Sequence, residues 1–389
     1  MQKRGDHPDK RGGVILSSHG VTRLRFSAGR IRPLVGLRPR DPMWAWEYIP
    51  LAAEVTFRQW LARRLENRMT RVLGIVLILS ALTAPAQGDD ADRRFPFFQY
   101  LTSQPAATMV TYTPSQLDPR QEVNQRRLTT SSIRADLEAL RPAFDGLILY
   151  GYHEACTPRV VALAKELKYR AVLLAIWDTK SAAEVDGVAE LARLYESDLA
   201  LGVLVGNEGI TFKRYEADDL TIAAARLRQK LPKTIPLATS EPLVGYQHEF
   251  IRDFGDFLAP NIHPVFDRPQ FSPEAGAAWA RDEALKLAKH TKKPVLLKET
   301  GFPHDGKPAY SPSSQQAFWS AYTQPTLIAR VEDAPQAWVF HGVGFEAFDL
   351  PWKSEESKLL IEKSWGLMSP KREPYPAFEV WRAGRDRTK

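Results

Sequence analysis

The chain has 389 residues, 44% hydrophobic and 25% charged, enough for one large domain with extensions or two ordinary ones with a sizeable core. A formal charge of +7 would suit an acidic partner, but 14 Lys+Arg against 6 Asp+Glu fall in residues 1–68, and after position 86 the count is 38 against 40. The main domain is therefore nearly neutral and offers no electrostatic reason to bind nucleic acid, and its single cysteine, Cys156, excludes an intrachain disulfide.

Residues 1–68 are rich in Arg and Gly and show no sustained helix or strand period. They read as a poorly structured basic extension, with Met69 as the biological start and the extension an over-long reading. The alternative is a cytoplasmic arm ahead of a membrane anchor. From Met69 the chain runs MTRVLGIVLILSALTAPAQGDD: a basic start, an apolar run over 72–82, then Ala84-Pro85-Ala86. Small residues at the two outer positions of that triplet fit cleavage after Ala86, so 69–86 reads as a signal peptide. The apolar run is short for a bilayer span. The expected location is periplasmic or extracellular, with membrane contact only through this segment.

Residues 87–389 alternate short apolar runs with longer amphipathic ones. ATMVTY (107–112), GLILYGY (146–152), RAVLLAIW (170–177), LALGVLVGNE (199–208), IPLATS (235–240), DFLAPNIHP (256–264), PVLLKE (294–299) and QAWVFHGVGFEAF (336–348) read as strands. Amphipathic runs between them read as helices, including one beginning at Thr157-Pro158 and one taking in all of SPSSQQAFWSAYTQPTLIARV (311–331). Eight continuous apolar strands interleaved with helices predict a (β/α)8 TIM barrel. An open doubly wound sheet is the runner-up, disfavoured because no Gly-rich phosphate loop follows the first strand.

A barrel places its site at the carboxyl ends of its strands. Those ends carry Tyr150 and Tyr152, Trp177 and Asp178, Asn207 and Glu208, Ser240 and Glu241, Asn261 and His263, Glu299, and Phe345 and Glu346. Rings with carboxylates and amides suit a polyhydroxylated ligand. Strict alternation puts Val295, Leu297 and Glu299 on the inward face and Lys298 outward, and groups Glu208 with Gly206, Leu204 and Gly202, where glycines leave room inside the barrel. Glu208 and Glu299, on strands four and seven, then face each other across the mouth. One carboxyl kept protonated and one ionised is what cleavage of a glycosidic bond needs; two unrelated rim glutamates in ion pairs is the plainer reading.

VGNE (205–208), NIHPVFD (261–267), ETGFP (299–303), FEAFDLPWK (345–353) and SWGLMSP (364–370) together resemble glycoside hydrolase family 17, in particular its bacterial β-1,3-glucan-active branch. The resemblance covers roughly residues 104–385. It implies a retaining double displacement with Glu208 as acid/base and Glu299 as nucleophile, acting as hydrolase or transglycosylase on a β-glucan or oligosaccharide, with no metal or cofactor. It also implies sugar contacts from Tyr150, Asn207, His263, Glu346, Trp352, Lys353 and Trp365, alongside the rim residue Trp177. Phe302 stands where ETGWP has tryptophan and Leu350 where plant members carry a second glutamate, so both bear on substrate binding rather than chemistry. The other readings are a β-1,4-acting retaining glycosidase of the same barrel clan and a non-catalytic glucan-binding barrel; such binders tend to lose one carboxylate, and both are present here. His153-Glu154 lacks the second histidine of a zinc helix.

Overall fold

The computed structural model describes residues 94–386. The basic extension (1–68) and the signal segment (69–86) lie outside the described residues.

In chain order the elements are helix α1 (Pro96–Leu101), β1 (Met109–Thr111), α2 (Glu122–Arg127), α3 (Thr130–Leu140), β2 (Gly146–Ile148), α4 (Thr157–Glu166), β3 (Ala171–Ile176), α5 (Ala182–Tyr195), β4 (Ala200–Asn207), α6 (Ala217–Lys230) and β5 (Leu237–Ser240). There follow α7 (Glu249–Asp253), α8 (Pro264–Asp267), α9 (Pro273–Thr291), β6 (Val295–Leu296), α10 (Pro312–Thr323), β7 (Ile328–Val331), β8 (Ala334–Phe340), β9 (Val343–Gly344), α11 (Pro351–Ser357) and α12 (Pro376–Asp386). The helices start where side chains can take up orphan N–H groups. Thr129, Ser181, Ser272 and Ser311 each accept from a first-turn amide, and α4, α9 and α10 carry proline in their first turn.

Six parallel strands run in the order β5-β4-β3-β2-β1-β9, and β6 pairs in parallel with β8. Isolated bridges join Pro242 to Asn261, Leu258 to Val295 and Asn261 to Glu299, so the stretch 256–264 is the sixth stave between β5 and β6. Pro260 has no N–H to donate, which keeps that stave from forming a continuous ladder. β8 and β9 form the eighth stave, meeting β6 on one side and β1 on the other. The fold is the expected (β/α)8 barrel, with eight staves where eight strands were read.

Two cores follow from the alternation of side chains along the staves. Met109, Ile148, Leu173, Ala175, Leu204, Ala238, Leu296 and Phe340 fill the barrel. Val110, Leu147, Val172, Val203, Leu237, Val295 and Leu297 pack outward with helix residues such as Leu137, Val188, Leu220 and Ala280. Cys156 is a buried free thiol in the outer core, and burial pushes it up to about 11, away from nucleophile chemistry.

Among the elements that escaped the sequence reading, two shape the barrel. α1 belongs to the barrel interior: Phe97, Phe98, Tyr100 and Leu101 are buried there, and Phe98 sits edge-on to Trp338 and Phe257. Gly202 leaves the space that Phe97 occupies. The segment expected as one helix through residue 331 instead ends at Thr323: Gln324 keeps helical backbone angles, but Pro325 has no N–H to donate back into the helix and ends it. Its tail is β7, antiparallel to β8 through a two-residue turn at Glu332-Asp333.

Candidate active site

The carboxyl ends of β4, the sixth stave, β6 and β9 converge on a cluster of buried polar side chains. β4 does not reach it as a regular strand. The ladder with β5 is irregular between Leu204 and Asn207, Gly206 has φ +77 and Glu208 has φ +55. A Cβ on Gly206 would lie 2.1 Å from the Tyr215 hydroxyl, on the helix side, so this glycine is required by its backbone and does not share an inward face with Glu208. Left-handed backbone is costly for a glutamate, and strain of this kind concentrates at functional sites. Here it is held in place. Glu208 N donates to Ser240 O at 2.6 Å, Gly209 N to the Tyr215 hydroxyl at 3.1 Å, and the Ile210 and Thr211 amides to the buried Glu241 carboxylate at 3.0 and 3.1 Å. Glu241, read from sequence as one of the rim carboxylates, braces the loop behind Glu208.

The stave carrying Glu299 also departs from strict alternation. Lys298 N and Glu299 N both donate to Pro260 O, at 3.0 and 3.4 Å, so two residues oppose one as in a bulge. Consecutive side chains then share a side. Val295 and Leu297 pack toward the helices and Leu296 toward the barrel, while Lys298 and Glu299 both enter the site. The expectation that Lys298 points outward is corrected: it is 1% exposed, with Nζ 2.5 Å from Glu299 Oε1 and 2.5 Å from Asn207 Oδ1.

Asn261 joins the two sides. Its Nδ2 donates to Glu208 Oε1 at 2.8 Å and lies 3.4 Å from Asn207 Oδ1, while its Oδ1 accepts from Ser240 Oγ at 3.2 Å. Burial, then the charge of Glu299, raise the Glu208 pKa against the opposing pull of Asn261, Lys298 and His263. Burial alone would raise Glu299 too, but the Lys298 and His263 charges outweigh it and hold that carboxyl well below the usual carboxylate range. Two carboxyls in one cluster are thus driven in opposite directions, one toward the acid and one toward the carboxylate.

His263 Nε2 lies 3.4 Å from Glu299 Oε2, and its ring packs between Trp365 at 5.0 Å and Phe345 at 5.1 Å. Tyr150 lies under Lys298, whose Nζ is 4.8 Å from the ring centroid. The Tyr150 hydroxyl is buried near Thr111, Glu299 and Glu346, yet none meets it in hydrogen-bonding geometry. Lys353 Nζ donates to Glu346 Oε2 at 2.6 Å; burial pushes Glu346 up to about 7 despite this cation. Glu346 Oε1, His263 Nδ1 and the indole N–H groups of Trp352 and Trp365 are buried without partners. Orphaned buried donors and acceptors are costly unless something satisfies them, so their gathering near one cleft marks where a polar ligand fits.

Trp177 is 44% exposed, with the Arg214 guanidinium 4.1 Å from its ring centroid. Arg214 also donates to Asn207 O, tying the rim tryptophan to the end of β4. Phe302 does not join the cluster. It is buried against Tyr310 and Phe318 in the outer core, where the apolar ring is worth more than at the rim. Asn261 was legible as a polar strand end; Lys298 was missed because the phase of its strand was read inverted, and Arg214 because it lies in the loop beyond β4. A surface depression of about 580 Å³, lined by Tyr100, Lys165, Arg170 and Ala200, lies at the amino ends of β3 and β4, away from these carboxyls.

Residues 109–366 match the BtgE/BtgC glycoside hydrolase domain. Among curated relatives, the probable glucan endo-1,3-beta-glucosidase btgC of Aspergillus clavatus is 26% identical over 276 residues, 62% of this chain and 38% of that one. The cell surface mannoprotein MP65 of Candida albicans is 25% identical over 249 residues, 61% of this chain and 62% of that one. The chain therefore spans less than two thirds of the length of either. A glycoside hydrolase family 17 β-1,3-glucanosyltransferase from Rhizomucor miehei superposes with a TM-score of 0.54 at 16% identity, covering 72% of this chain and 98% of its own; an active-site mutant of that enzyme is seen with laminaritriose. These relatives are fungal, and none of them carries the bacterial affiliation expected from the motifs.

Proposed function

The chain belongs to the BtgE/BtgC glycoside hydrolase family, and on that premise we propose that its barrel is a retaining hydrolase or glucanosyltransferase acting on β-1,3-linked glucan. The observation that carries this reading is the opposed pull on two strand-end carboxyls, Glu208 raised and Glu299 lowered, within one hydrogen-bonded cluster. A pair of titratable groups pushed apart assigns the acid and the base.

In the proposed cycle Glu208 protonates the leaving glycosidic oxygen while the ionised Glu299 attacks the anomeric carbon and forms a glycosyl ester. Glu208, now a carboxylate, takes a proton from water or from an acceptor hydroxyl, which releases the sugar with its configuration retained. Asn207 and Tyr150 contact hydroxyls near Glu299, His263 steadies Glu299, and Glu346, Lys353, Trp352, Trp365 and Trp177 line the sugar path. Release to water gives hydrolysis and release to a sugar gives transfer. The names of the btgC relative and of the Rhizomucor enzyme support the β-1,3 linkage. The signal pattern at 69–86 and the name of the Candida relative support an exported, extracytoplasmic protein.

A panel of linkage-defined gluco-oligosaccharides tests the reading. The expected result is turnover of β-1,3 substrates by the native chain and none by Glu299→Gln. Turnover confined to β-1,4 substrates would move the chain to another specificity, and binding with no turnover would make it a lectin-like barrel.

A further inference from the structure

We propose that Lys298 is a positioning residue of the two-carboxyl site: its ammonium neutralises Glu299 and fixes which way the Asn207 amide faces. The inference rests on the glycosidase reading above and adds a cationic member to it.

A lysine that is 1% exposed must be paired, since an unpaired buried ammonium is far too costly. Lys298 has two polar partners, and both belong to the site: Glu299 Oε1 at 2.5 Å and Asn207 Oδ1 at 2.5 Å. An ammonium only donates, so the Asn207 atom facing it must be the carbonyl oxygen. Asn261 Nδ2 approaches that same oxygen at 3.4 Å. Asn207 Nδ2 is thereby turned away from both donors and left for a ligand hydroxyl. The aromatic face of Tyr150, 4.8 Å from Nζ, closes the third side.

The charges around the ammonium make its effect readable. Glu299 is adjacent on the same stave, and Glu208 faces it from β4. His263 lies beyond Glu299, and the Glu346–Lys353 pair lies beyond Tyr150, with Lys353 Nζ 6.0 Å from the same ring. Without Lys298, Glu208 and Glu299 would share the site with a half-buried histidine as the nearest cation, and two carboxyls so placed compete for one proton. With it, Glu299 remains the carboxylate and the proton is left to Glu208. The bulge at Pro260 O permits this, because it brings Lys298 and Glu299 to the same side.

The test compares the native chain with Lys298→Met, which keeps length and removes charge, and Lys298→Arg, which keeps charge. The Glu299 carboxyl is followed by ¹³C NMR across pH, assigned with Glu299→Gln, and kcat/KM is followed across pH on laminari-oligosaccharides. In Lys298→Met the Glu299 midpoint and the acid limb of the rate profile should both move to higher pH. kcat should fall about 10²-fold, the usual loss for one preorganised electrostatic contact, with KM changing far less. Lys298→Arg should return the midpoint toward native. A folded Lys298→Met whose Glu299 titrates as in the native chain overturns the proposal, whatever its activity. If the variant does not fold, the native chain alone decides: a Glu299 midpoint in the ordinary range near about 4.3 overturns it. A shifted midpoint in a chain that cleaves no β-1,3 substrate upholds the ion pair and defeats only the glycosidase reading.

Discussion

Asn261 Nδ2 donates to Glu208 Oε1 at 2.8 Å, and the backbone of the same asparagine is bridged to Glu299. One residue on the sixth stave therefore sets the distance of both carboxyl-bearing strand ends from each other. Its hydrogen bond favours the charged form of Glu208 and so lowers a pKa that burial and Glu299 raise. Asn261→Ala should release that restraint. A hydrogen bond to a charged group is worth about 1.5–3 kcal/mol, or roughly one pH unit or more. The alkaline limb of kcat/KM, which reports loss of the acid's proton, should move upward by about that amount. A limb that stays in place or moves down would show that Glu208 is not the titrating acid.

The roles of Glu208 and Glu299 are separable by chemical rescue. Glu299→Ala should abolish turnover of laminari-oligosaccharides, and added azide should restore it with an inverted glycosyl azide, because azide then occupies the nucleophile's place. Glu208→Ala with an activated leaving group should instead give the retained azide, since Glu299 still forms the ester. Nuclear magnetic resonance of the products reads the anomers. Interchanged anomers would interchange the two assignments.

These two carboxyls stood out because apolar staves ending in Asn207-Glu208 and Glu299-Thr300 break their own pattern at the rim, and because the stretches around them resemble motifs of one family. Lys298 was not legible, because the reading set Val295 and Leu297 on the inward face. The structure reverses that phase, with Leu296 and Lys298 inward and Val295 and Leu297 outward, and the bulge then adds Glu299 to the inward side. Similarly, the glycines of β4 were both read as leaving room inside the barrel. Gly202 makes room for Phe97 of α1, a contact over a hundred positions away in sequence, and Gly206 serves its own backbone. Long-range packing and local bulges leave little trace in a single stretch of sequence. Phe302, placed by motif in the cleft, was drawn into the outer core by Tyr310 and Phe318 from the following segment.

The α1 plug makes a stability prediction. Phe98 is buried inside the barrel with ring contacts to Phe95, Phe257 and Trp338 at 5.0, 5.8 and 5.4 Å. Truncating a buried phenylalanine costs about 3–5 kcal/mol through lost transfer energy and the cavity left behind. Phe98→Ala should lower the unfolding free energy by that amount in urea titrations. It should leave the pH profile of any residual activity unchanged, because the plug touches the barrel interior and not the carboxyl cluster. A loss below about 1 kcal/mol would mean that α1 is not part of the cooperative core.

Glu346 offers a stability effect with a defined sign. Burial holds its carboxyl up at about 7, even with Lys353 Nζ 2.6 Å away, whereas an unfolded glutamate titrates near about 4.3. A carboxyl raised on folding contributes stability that is fully present below the unfolded value and is lost as pH rises through the folded one. The window is therefore roughly pH 4.3 to 7, and the loss across it is of order 4 kcal/mol at about 1.36 kcal/mol per unit. Glu208 is raised as well and contributes with the same sign, so the readable quantity is a difference between two chains. Glu346→Gln cannot ionise and keeps the shape. Its stability relative to the native chain should improve steadily from pH 4 to pH 8 in matched denaturant titrations. Lys353→Met should act the other way: below pH 4, where Glu346 is protonated, it should cost little, and at pH 8 the unpaired carboxyl must stay protonated, at an added cost of about 1.4 kcal/mol for the one unit between pH 8 and its value of about 7. Parallel curves for the native chain and Glu346→Gln would show that this carboxyl is not held up, and that its partnerless Oε1 is met by solvent instead.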